Sequence, residues 1–213
     1  MSYKALIFDL DGTLVSTRTD LANAVNYARV QMGFAPLDTE VVVGYVGEGL
    51  TRLLERAFEG RKELVGPARE HFSRHYAEHL VDNSPLYDGV AEGLAELAAL
   101  GARMAVLTNK GEGFSRAILD HHGLSRFMAD VVGGDTLGAI KPSPEGAMRL
   151  LGALGATPEA ALMVGDHHTD LATATATGMA SVFCEYGFGD RRGLQSDYDA
   201  HRFADVVEIF RRG

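Results

Sequence analysis

From Leu86 onward, short apolar segments alternate with segments of helical periodicity, and this alternation limits the possible folds more than any other feature of the chain. Apolar runs predict strands at 103–107, 130–132, 161–164 and 181–184. The segments between them place apolar residues on one helical face, and several end at a glycine. Strands that alternate with helices form parallel sheets through right-handed crossovers. The sequence therefore predicts an α/β fold with a doubly wound parallel sheet.

A further strand, Ala5 to Phe8, is predicted to join this sheet, although a long insertion separates it from the other strands. Between residues 16 and 84, apolar residues recur at helical spacing in three segments, without a convincing strand pattern. We therefore predict a core formed by residues 1–15 and 85–213, with an all-helical insertion at 16–84. A length of 213 residues suits one domain with a smaller insertion.

Composition restricts the partners and the location of the protein. The formal net charge of −9 argues against nucleic acid or an anionic membrane as the main partner. No apolar run is long enough to span a membrane, and Met1 to Phe8 is too short for a signal peptide. Cys184 is the only cysteine, which excludes an internal disulfide and favours a reducing compartment. We therefore predict a cytoplasmic protein that acts on a small molecule.

Two aspartates, Asp9 and Asp11, follow the first strand. Residues two apart on an extended chain point to the same side. Two buried carboxylates are costly without a compensating cation, and Mg²⁺ prefers oxygen ligands. The pair therefore indicates a magnesium site, although Asp11-Gly12 alone is also compatible with a hairpin turn.

The other predicted strands also lead to polar residues at their carboxyl ends, where parallel α/β sheets bind their ligands. Thr108 and Asn109 end one strand, Lys141 follows the next after a loop, and Asp166 and Asp170 follow another. Each alone is compatible with a helix cap, a surface lysine or a turn. Together with the first two aspartates, they provide the groups needed to bind a phosphoryl group and Mg²⁺.

These motifs resemble those of the haloacid dehalogenase superfamily, and within it those of phosphoglycolate phosphatase-like hydrolases that have a helical cap after the first motif. The matching residues are, in chain order, Asp9-Leu-Asp-Gly-Thr-Leu14, Thr108-Asn-Lys110, Lys141-Pro-Ser-Pro144 and Gly165-Asp-x-x-x-Asp170. The resemblance covers essentially the whole chain and implies a Rossmann-like core with an inserted all-helical cap. The chain departs from the pattern at Ser16, where relatives often have aspartate, and at His167-His168, where they often have a small residue.

The resemblance implies a role for each core residue. Asp9 is expected to be the nucleophile that forms an aspartyl-phosphate, and Asp11 the general acid and then the general base. Mg²⁺ is expected to bind Asp9, the backbone carbonyl of Asp11, and Asp166, with Asp170 supporting the metal ligands. The phosphate oxygens are expected to contact Gly12, Thr108, Asn109 and Lys141.

Substrate selection is expected to depend on the cap loop that contains Gly47, Glu48 and Gly49. Arg52, one turn later, is placed to pair with a substrate carboxylate, or it is a solvated helix residue. Phosphonate-cleaving relatives use a cap lysine, and the segment from Gly44 to Arg52 contains none.

The function predicted from these residues is Mg²⁺-dependent hydrolysis of a small organic phosphate monoester, with 2-phosphoglycolate as the first choice. The second aspartate argues against a true dehalogenase, because a halide leaving group needs no proton donor. A sugar-phosphate mutase or a pyrophosphatase on the same scaffold is an alternative, as is a non-catalytic binding protein of this fold. Both a monomer and a homodimer are compatible with the sequence.

Overall fold

A computed structural model describes residues 2–213 of the chain. Within this range, one sheet contains six strands: β1 Ala5–Phe8, β2 Arg103–Leu107, β3 Met128–Val132, β4 Ala161–Gly165, β5 Ala180–Cys184 and β6 Tyr198–Ala200. Nine α-helices accompany it: α1 Arg18–Gln31, α2 Thr39–Val43, α3 Gly49–Ala57, α4 Val65–Glu78, α5 Val90–Ala99, α6 Glu112–His121, α7 Glu145–Leu154, α8 His168–Thr177 and α9 Phe203–Arg212. None of the helices described has the length and apolar character needed to cross a membrane.

The strands are all parallel and lie in the order β3-β2-β1-β4-β5-β6. This order reverses at β1, as in a doubly wound Rossmann-like sheet, so the predicted fold class is confirmed. Phe8 at the end of β1 pairs with Val106 of β2 and with Val164 of β4. The residues that follow these three strands therefore emerge side by side at the same edge of the sheet.

Helices cover both faces of the sheet. Leu6 and Phe8 point to the face covered by α5, α6 and α9, whereas Ala5 and Ile7 point to the face covered by α7 and α8. All four residues are fully buried, which explains why β1 is apolar throughout. Burying a side chain such as Phe8 contributes about 2 kcal/mol, so the central strand is anchored on both faces.

Helices α1 to α4, which we call the cap, have a hydrophobic core of their own. Leu54, Phe58, Phe72 and Tyr76 are buried within it, and α1 packs mainly against α4. Two neighbouring chain segments connect the cap to the sheet, and the amide of Ser16 donates to the carbonyl of Pro85 at 2.9 Å. The all-helical cap expected after the first motif is therefore present.

In three segments, the sequence pattern did not plainly indicate the secondary structure that is observed. The alternating segment Thr173–Thr177 is helical despite its strand-like pattern, and its threonine hydroxyls donate to carbonyls one turn earlier, as from Thr173 to Thr169 at 2.7 Å. Helix α2 was not predicted, since its run of three valines is typical of a strand. Strand β6 was not predicted either, because it has only three residues and only Ala200 is buried.

Candidate active site

The edge of the sheet brings together the polar residues that follow β1, β2 and β4. Asp9 is buried directly after β1, and its amide donates to the carbonyl of Val164 at 2.8 Å. Thr108, after β2, and Asp166, after β4, are buried beside it, and all three line one cavity. The predicted convergence of strand ends is thus present in the structure.

Lys141 reaches this edge from the loop after β3 and lies between two carboxylates. Its Nζ is 2.9 Å from Oδ1 of Asp9 and 2.6 Å from Oδ1 of Asp170. Burial favours the neutral amine, but the carboxylates of Asp170 and Asp9 outweigh it and raise the pKa of Lys141. The lysine is therefore a fixed cation. Asp170 is itself held by the amide of His167, which donates to Oδ2 at 3.0 Å.

Asp166 is enclosed by backbone. Its Oδ2 accepts hydrogen bonds from the amides of Phe188 at 3.0 Å and Gly189 at 2.8 Å. Gly12 has φ +86°, and a Cβ at Gly12 or Gly187 would overlap the Asp166 side chain. Glycine is required where backbone approaches a functional group this closely. The fixed carboxylate therefore depends on glycines from two separate loops.

Carboxylate oxygens of Asp9, Asp166 and Asp170 all lie within 4.8 Å of one another. Burial, with the nearby Asp170 and Asp11 carboxylates, raises the pKa of Asp9 to about 7 despite the opposing Lys141. Burial and the other two carboxylates raise the pKa of Asp166 well above its usual range. Three clustered carboxylates, of which Asp9 and Asp166 are unfavourably ionised, form a site that fits a hard divalent cation.

Asp11 lies at the mouth of this group and contacts a second lysine. Its Oδ1 accepts a hydrogen bond from the Thr17 hydroxyl at 2.6 Å and lies 2.9 Å from Nζ of Lys110. The side chain of Lys110 is only 5% exposed, and Asp11 raises its pKa against the effect of burial. The sequence motif contains Lys110 without indicating its role. Its position directly after the strand-end pair Thr108-Asn109 was the available signal.

The side chain of Asn109 connects three segments of the protein. Its Oδ1 accepts from the amide of Lys141 at 2.8 Å, and its Nδ2 donates to the Lys141 carbonyl at 3.0 Å. The same Nδ2 donates to the carbonyl of Gly47 in the cap loop at 2.9 Å. These contacts position Lys141 and the cap loop, and they occupy the polar atoms of the Asn109 side chain.

The four cap residues singled out from the sequence occupy different positions. Gly47 and Gly49 line the cavity. Glu48 lies outside it and pairs with Arg56 at 2.8 Å and Arg192 at 2.6 Å. Arg52 is 61% exposed, pairs with Glu55 and does not line this cavity. The structure therefore brings the two glycines to the site, but not the side chain of Arg52.

The cavity between cap and sheet is small and mostly apolar on the cap side. Its volume is about 70 Å³. The apolar side chains that cover it are Leu21, Val46, Leu50, Leu53, Phe72 and Phe114, and the ring of Tyr76 completes this surface. Asp9, Asp11 and Asp166 form the opposite wall. The cavity therefore has acidic residues on the side of the sheet and an apolar surface on the side of the cap.

His167 and His168, which depart from the family pattern, contact the cap loop. Burial, together with His168 and Lys141, lowers the pKa of His167 to about 3, so its ring is neutral. A Cβ at Gly47 would lie 2.5 Å from this ring, so the cap loop rests directly on it. Nε2 of His168 lies 4.0 Å from Glu48.

Comparisons with known proteins agree with this geometry. The family profile described as haloacid dehalogenase-like hydrolase matches residues 6–184. The phosphoglycolate phosphatase of Chromobacterium violaceum is 38% identical over 99% of this chain and 97% of its own. That of Rhodospirillum rubrum is 43% identical over 87% of this chain and 80% of its own.

A solved structure shares the whole fold. The crystal structure of a predicted phosphoglycolate phosphatase from Haemophilus somnus superposes with a TM-score of 0.90 at 30% identity, over 98% of both chains. The capped parallel sheet agrees with the family match. The chain therefore belongs to the haloacid dehalogenase-like hydrolase family, and it is an enzyme of the phosphatase type.

Proposed function

We propose that this enzyme hydrolyses 2-phosphoglycolate to glycolate and inorganic phosphate. The observation that carries the proposal is the pair Asp9 and Asp11 at the sheet edge with the buried lysines Lys141 and Lys110 beside them, under a cap that leaves only a small cavity. Relatives at 38% and 43% identity are named phosphoglycolate phosphatase, which supports the same choice.

Asp9 and Asp11 perform the two chemical steps of the proposed mechanism. A carboxylate oxygen of Asp9 attacks phosphorus, the bond from phosphorus to the ester oxygen breaks, and Asp11 donates its proton to the leaving oxygen. Asp11 then accepts a proton from the water that attacks the aspartyl-phosphate. Inorganic phosphate leaves, and Asp9 returns to its free carboxylate.

The phosphate oxygens are held by residues that are already in place. Lys141 supplies a buried positive charge, Thr108 a hydroxyl, and the loops at Gly12 and Asn109 their backbone amides. Since Asn109 uses its side chain to hold Lys141 and Gly47, its contribution to phosphate binding comes from the backbone. A site fixed in this way stabilises the transferring group without reorganisation.

We further propose that the cation held at this edge is Mg²⁺, bound by Asp9, the Asp11 carbonyl and Asp166, with Asp170 in support. The raised pKa values of Asp9 and Asp166 support this assignment, because a cation would relieve their mutual repulsion. When bound, Mg²⁺ reduces the repulsion between the Asp9 carboxylate and the phosphate.

The proposal also covers the domain boundaries, the role of the cap loop and the cellular location. The cap comprises residues 16–84 and the catalytic core residues 1–15 and 85–213. The loop Gly47-Glu48-Gly49 determines how the cap closes, and Arg52 acts only if the cap moves, because its side chain does not line the cavity. A cytoplasmic location is consistent with a lone cysteine, Cys184, that is buried and free.

The test is phosphate release from a substrate panel, with and without Mg²⁺. The panel contains 2-phosphoglycolate, a hexose phosphate, a nucleotide, pyrophosphate and phosphonoacetaldehyde. We expect Mg²⁺-dependent turnover with the highest kcat/KM on 2-phosphoglycolate, and loss of turnover in Asp9→Asn with the fold retained. Preference for pyrophosphate, or isomerisation of a sugar phosphate without phosphate release, would replace the proposal with the corresponding alternative.

A further inference from the structure

The hydroxyl of Tyr76 is buried in the active-site cavity, where it lies near the Lys110 ammonium group but forms no hydrogen bond of normal geometry with residues 2–213. Tyr76 lies on α4 of the cap and is 1% exposed. A buried hydroxyl is normally hydrogen-bonded, and an unpaired one is unfavourable for the folded protein. The cap therefore places an available polar group in a wall that is otherwise apolar.

The only lysine or arginine among the described residues that line this cavity lies beside Tyr76. Nζ of Lys110 is 4.9 Å from the centroid of the Tyr76 ring and 2.9 Å from Oδ1 of Asp11. Lys141 lies between Asp9 and Asp170 on the phosphate side of the site, and Arg52 is outside the cavity. A positive charge and a hydroxyl group thus adjoin Asp11 on its cap side.

The position of Asp11 fixes where the leaving group lies. Asp11 donates its proton to the ester oxygen, so the atoms beyond that oxygen lie between Asp11 and the cap. In 2-phosphoglycolate, one methylene group separates the ester oxygen from the carboxylate. A carboxylate this close to the ester oxygen lies within reach of groups that adjoin Asp11.

We propose that the Tyr76 hydroxyl, assisted by the Lys110 ammonium group, binds the carboxylate of the substrate. The pair makes the enzyme selective for short phosphorylated 2-hydroxy acids over neutral phosphate esters of the same size. A buried carboxylate requires hydrogen-bond donors and a positive charge, and the apolar remainder of the wall offers neither. This inference rests on the proposed function, because it assigns the residues that select that substrate.

The test compares 2-phosphoglycolate with ethyl phosphate, which has the same chain length but no carboxylate. We expect the wild-type enzyme to prefer 2-phosphoglycolate, and Tyr76→Phe to reduce the ratio of the two kcat/KM values about tenfold, mainly through the KM for 2-phosphoglycolate. Tyr76→Phe is chosen because it leaves the pair of Lys110 and Asp11 in place. Since the lost hydroxyl forms no hydrogen bond of normal geometry within the protein, the thermal midpoint of the variant should stay close to that of the wild type.

A matched control is Tyr27→Phe, which removes a hydroxyl from the outer surface of the cap, where Tyr27 stacks on His75. Its substrate ratio should equal that of the wild type. An unchanged ratio in Tyr76→Phe, in an enzyme that prefers 2-phosphoglycolate, would overturn the inference and leave the proposed function intact. A wild-type enzyme without preference for the carboxylate would overturn both the substrate assignment and the role of Tyr76.

Discussion

Asp9 is a carboxylic acid placed where burial and neighbouring carboxylates oppose its ionisation. Its pKa is raised to about 7, while Lys141 at 2.9 Å acts in the opposite direction. In the proposed mechanism, Asp9 must nevertheless be ionised to attack phosphorus. Ionised Asp9 is therefore unfavourable in the free protein, and a bound cation would stabilise it.

The first prediction concerns the stability of Asp9→Asn. With a folded-state pKa of about 7 against an ordinary value of 3.8, protonated Asp9 stabilises the fold below pH 4, and this contribution is lost as the pH rises through 7. We expect metal-free Asp9→Asn to be more stable than the wild type at pH 8, by on the order of 2 kcal/mol or roughly 5 °C.

Thermal unfolding in EDTA at pH 5, 6.5 and 8 measures this difference. The gain in midpoint should grow with pH, whereas Asp190→Asn, on an exposed loop, should show no such trend. A pH-independent difference would mean that Asp9 is not held in an unfavourable ionisation state.

The strand-end residues were predictable because a parallel sheet brings its carboxyl ends to one edge, whatever the sequence distance. Asp9, Thr108 and Asp166 follow that rule. Tyr76 does not, since it meets Lys110 only through the way the cap packs on the core. Sequence spacing contains no information about this contact. The use of the Asn109 side chain to hold Lys141 and Gly47 is hidden for the same reason.

At the scale of elements, the cap loop closes the site through the backbone of Gly47. This residue has φ +111° and lies against the His167 ring, which in turn caps the N-terminus of α8. Glycine is required both for the positive φ and for the close approach. His167 therefore acts as the surface on which the cap loop rests, which gives this departure from the family pattern a structural meaning.

The second prediction concerns Gly47→Ala. The new methyl group would overlap the His167 ring and strain the loop, so the cap loop can no longer rest on the core. We expect kcat/KM for 2-phosphoglycolate to fall about tenfold or more. The thermal midpoint of unfolding should change little, because the core formed by the sheet is unaltered. Steady-state kinetics and calorimetry measure the two quantities.

The control is Gly60→Ala, which changes a cap glycine that also has a positive φ, +79°, but has nothing within 4 Å of the added Cβ. Gly60→Ala therefore places alanine at a positive φ but brings the new methyl group into contact with no other residue. Equal losses of activity in both variants would show that backbone strain, and not contact with His167, explains the effect.

The elements that sequence patterns did not predict are those whose burial is set by neighbours. In the valine run of α2, Val42 packs into the cap core and Val43 is also buried, which favours the helix. Strand β6 exists because β5 offers it a free edge, with Cys184 paired to Ala200. By contrast, β1, β2, β4 and β5 bury nearly every residue, and their apolar runs made them predictable.

At the scale of the whole molecule, a charged cluster formed by Glu48, Arg56 and Arg192 joins the cap to the core. Glu48 of the cap loop pairs with Arg192, which follows β5, at 2.6 Å. Burial of Glu48 opposes its ionisation, but hydrogen bonds from Arg56 and Arg192 outweigh it and lower its pKa to about 2. The pair therefore stays charged at every pH at which the enzyme is expected to work.

The third prediction is that this pair favours the closed cap. We expect Arg192→Met and Glu48→Gln each to raise the KM for 2-phosphoglycolate about threefold, and the double variant to raise it no further than the larger single effect. Arg192 is half exposed, so solvent screens the pair and its coupling should be below about 1 kcal/mol. A double-mutant cycle on KM measures that coupling.

Salt and pH separate this explanation from a general loss of charge. The difference between the wild type and Arg192→Met should shrink in 1 M NaCl, because a half-exposed pair is screened, and it should be equal at pH 6 and pH 8, because Glu48 is ionised at both. Arg202→Met removes an arginine whose partner, Asp205, lies three residues away, so it cannot affect closure of the cap. If Arg202→Met raises the KM as much as Arg192→Met does, the Glu48 cluster does not hold the cap closed. The same conclusion follows if the effects of Arg192→Met and Glu48→Gln on the KM are strictly additive.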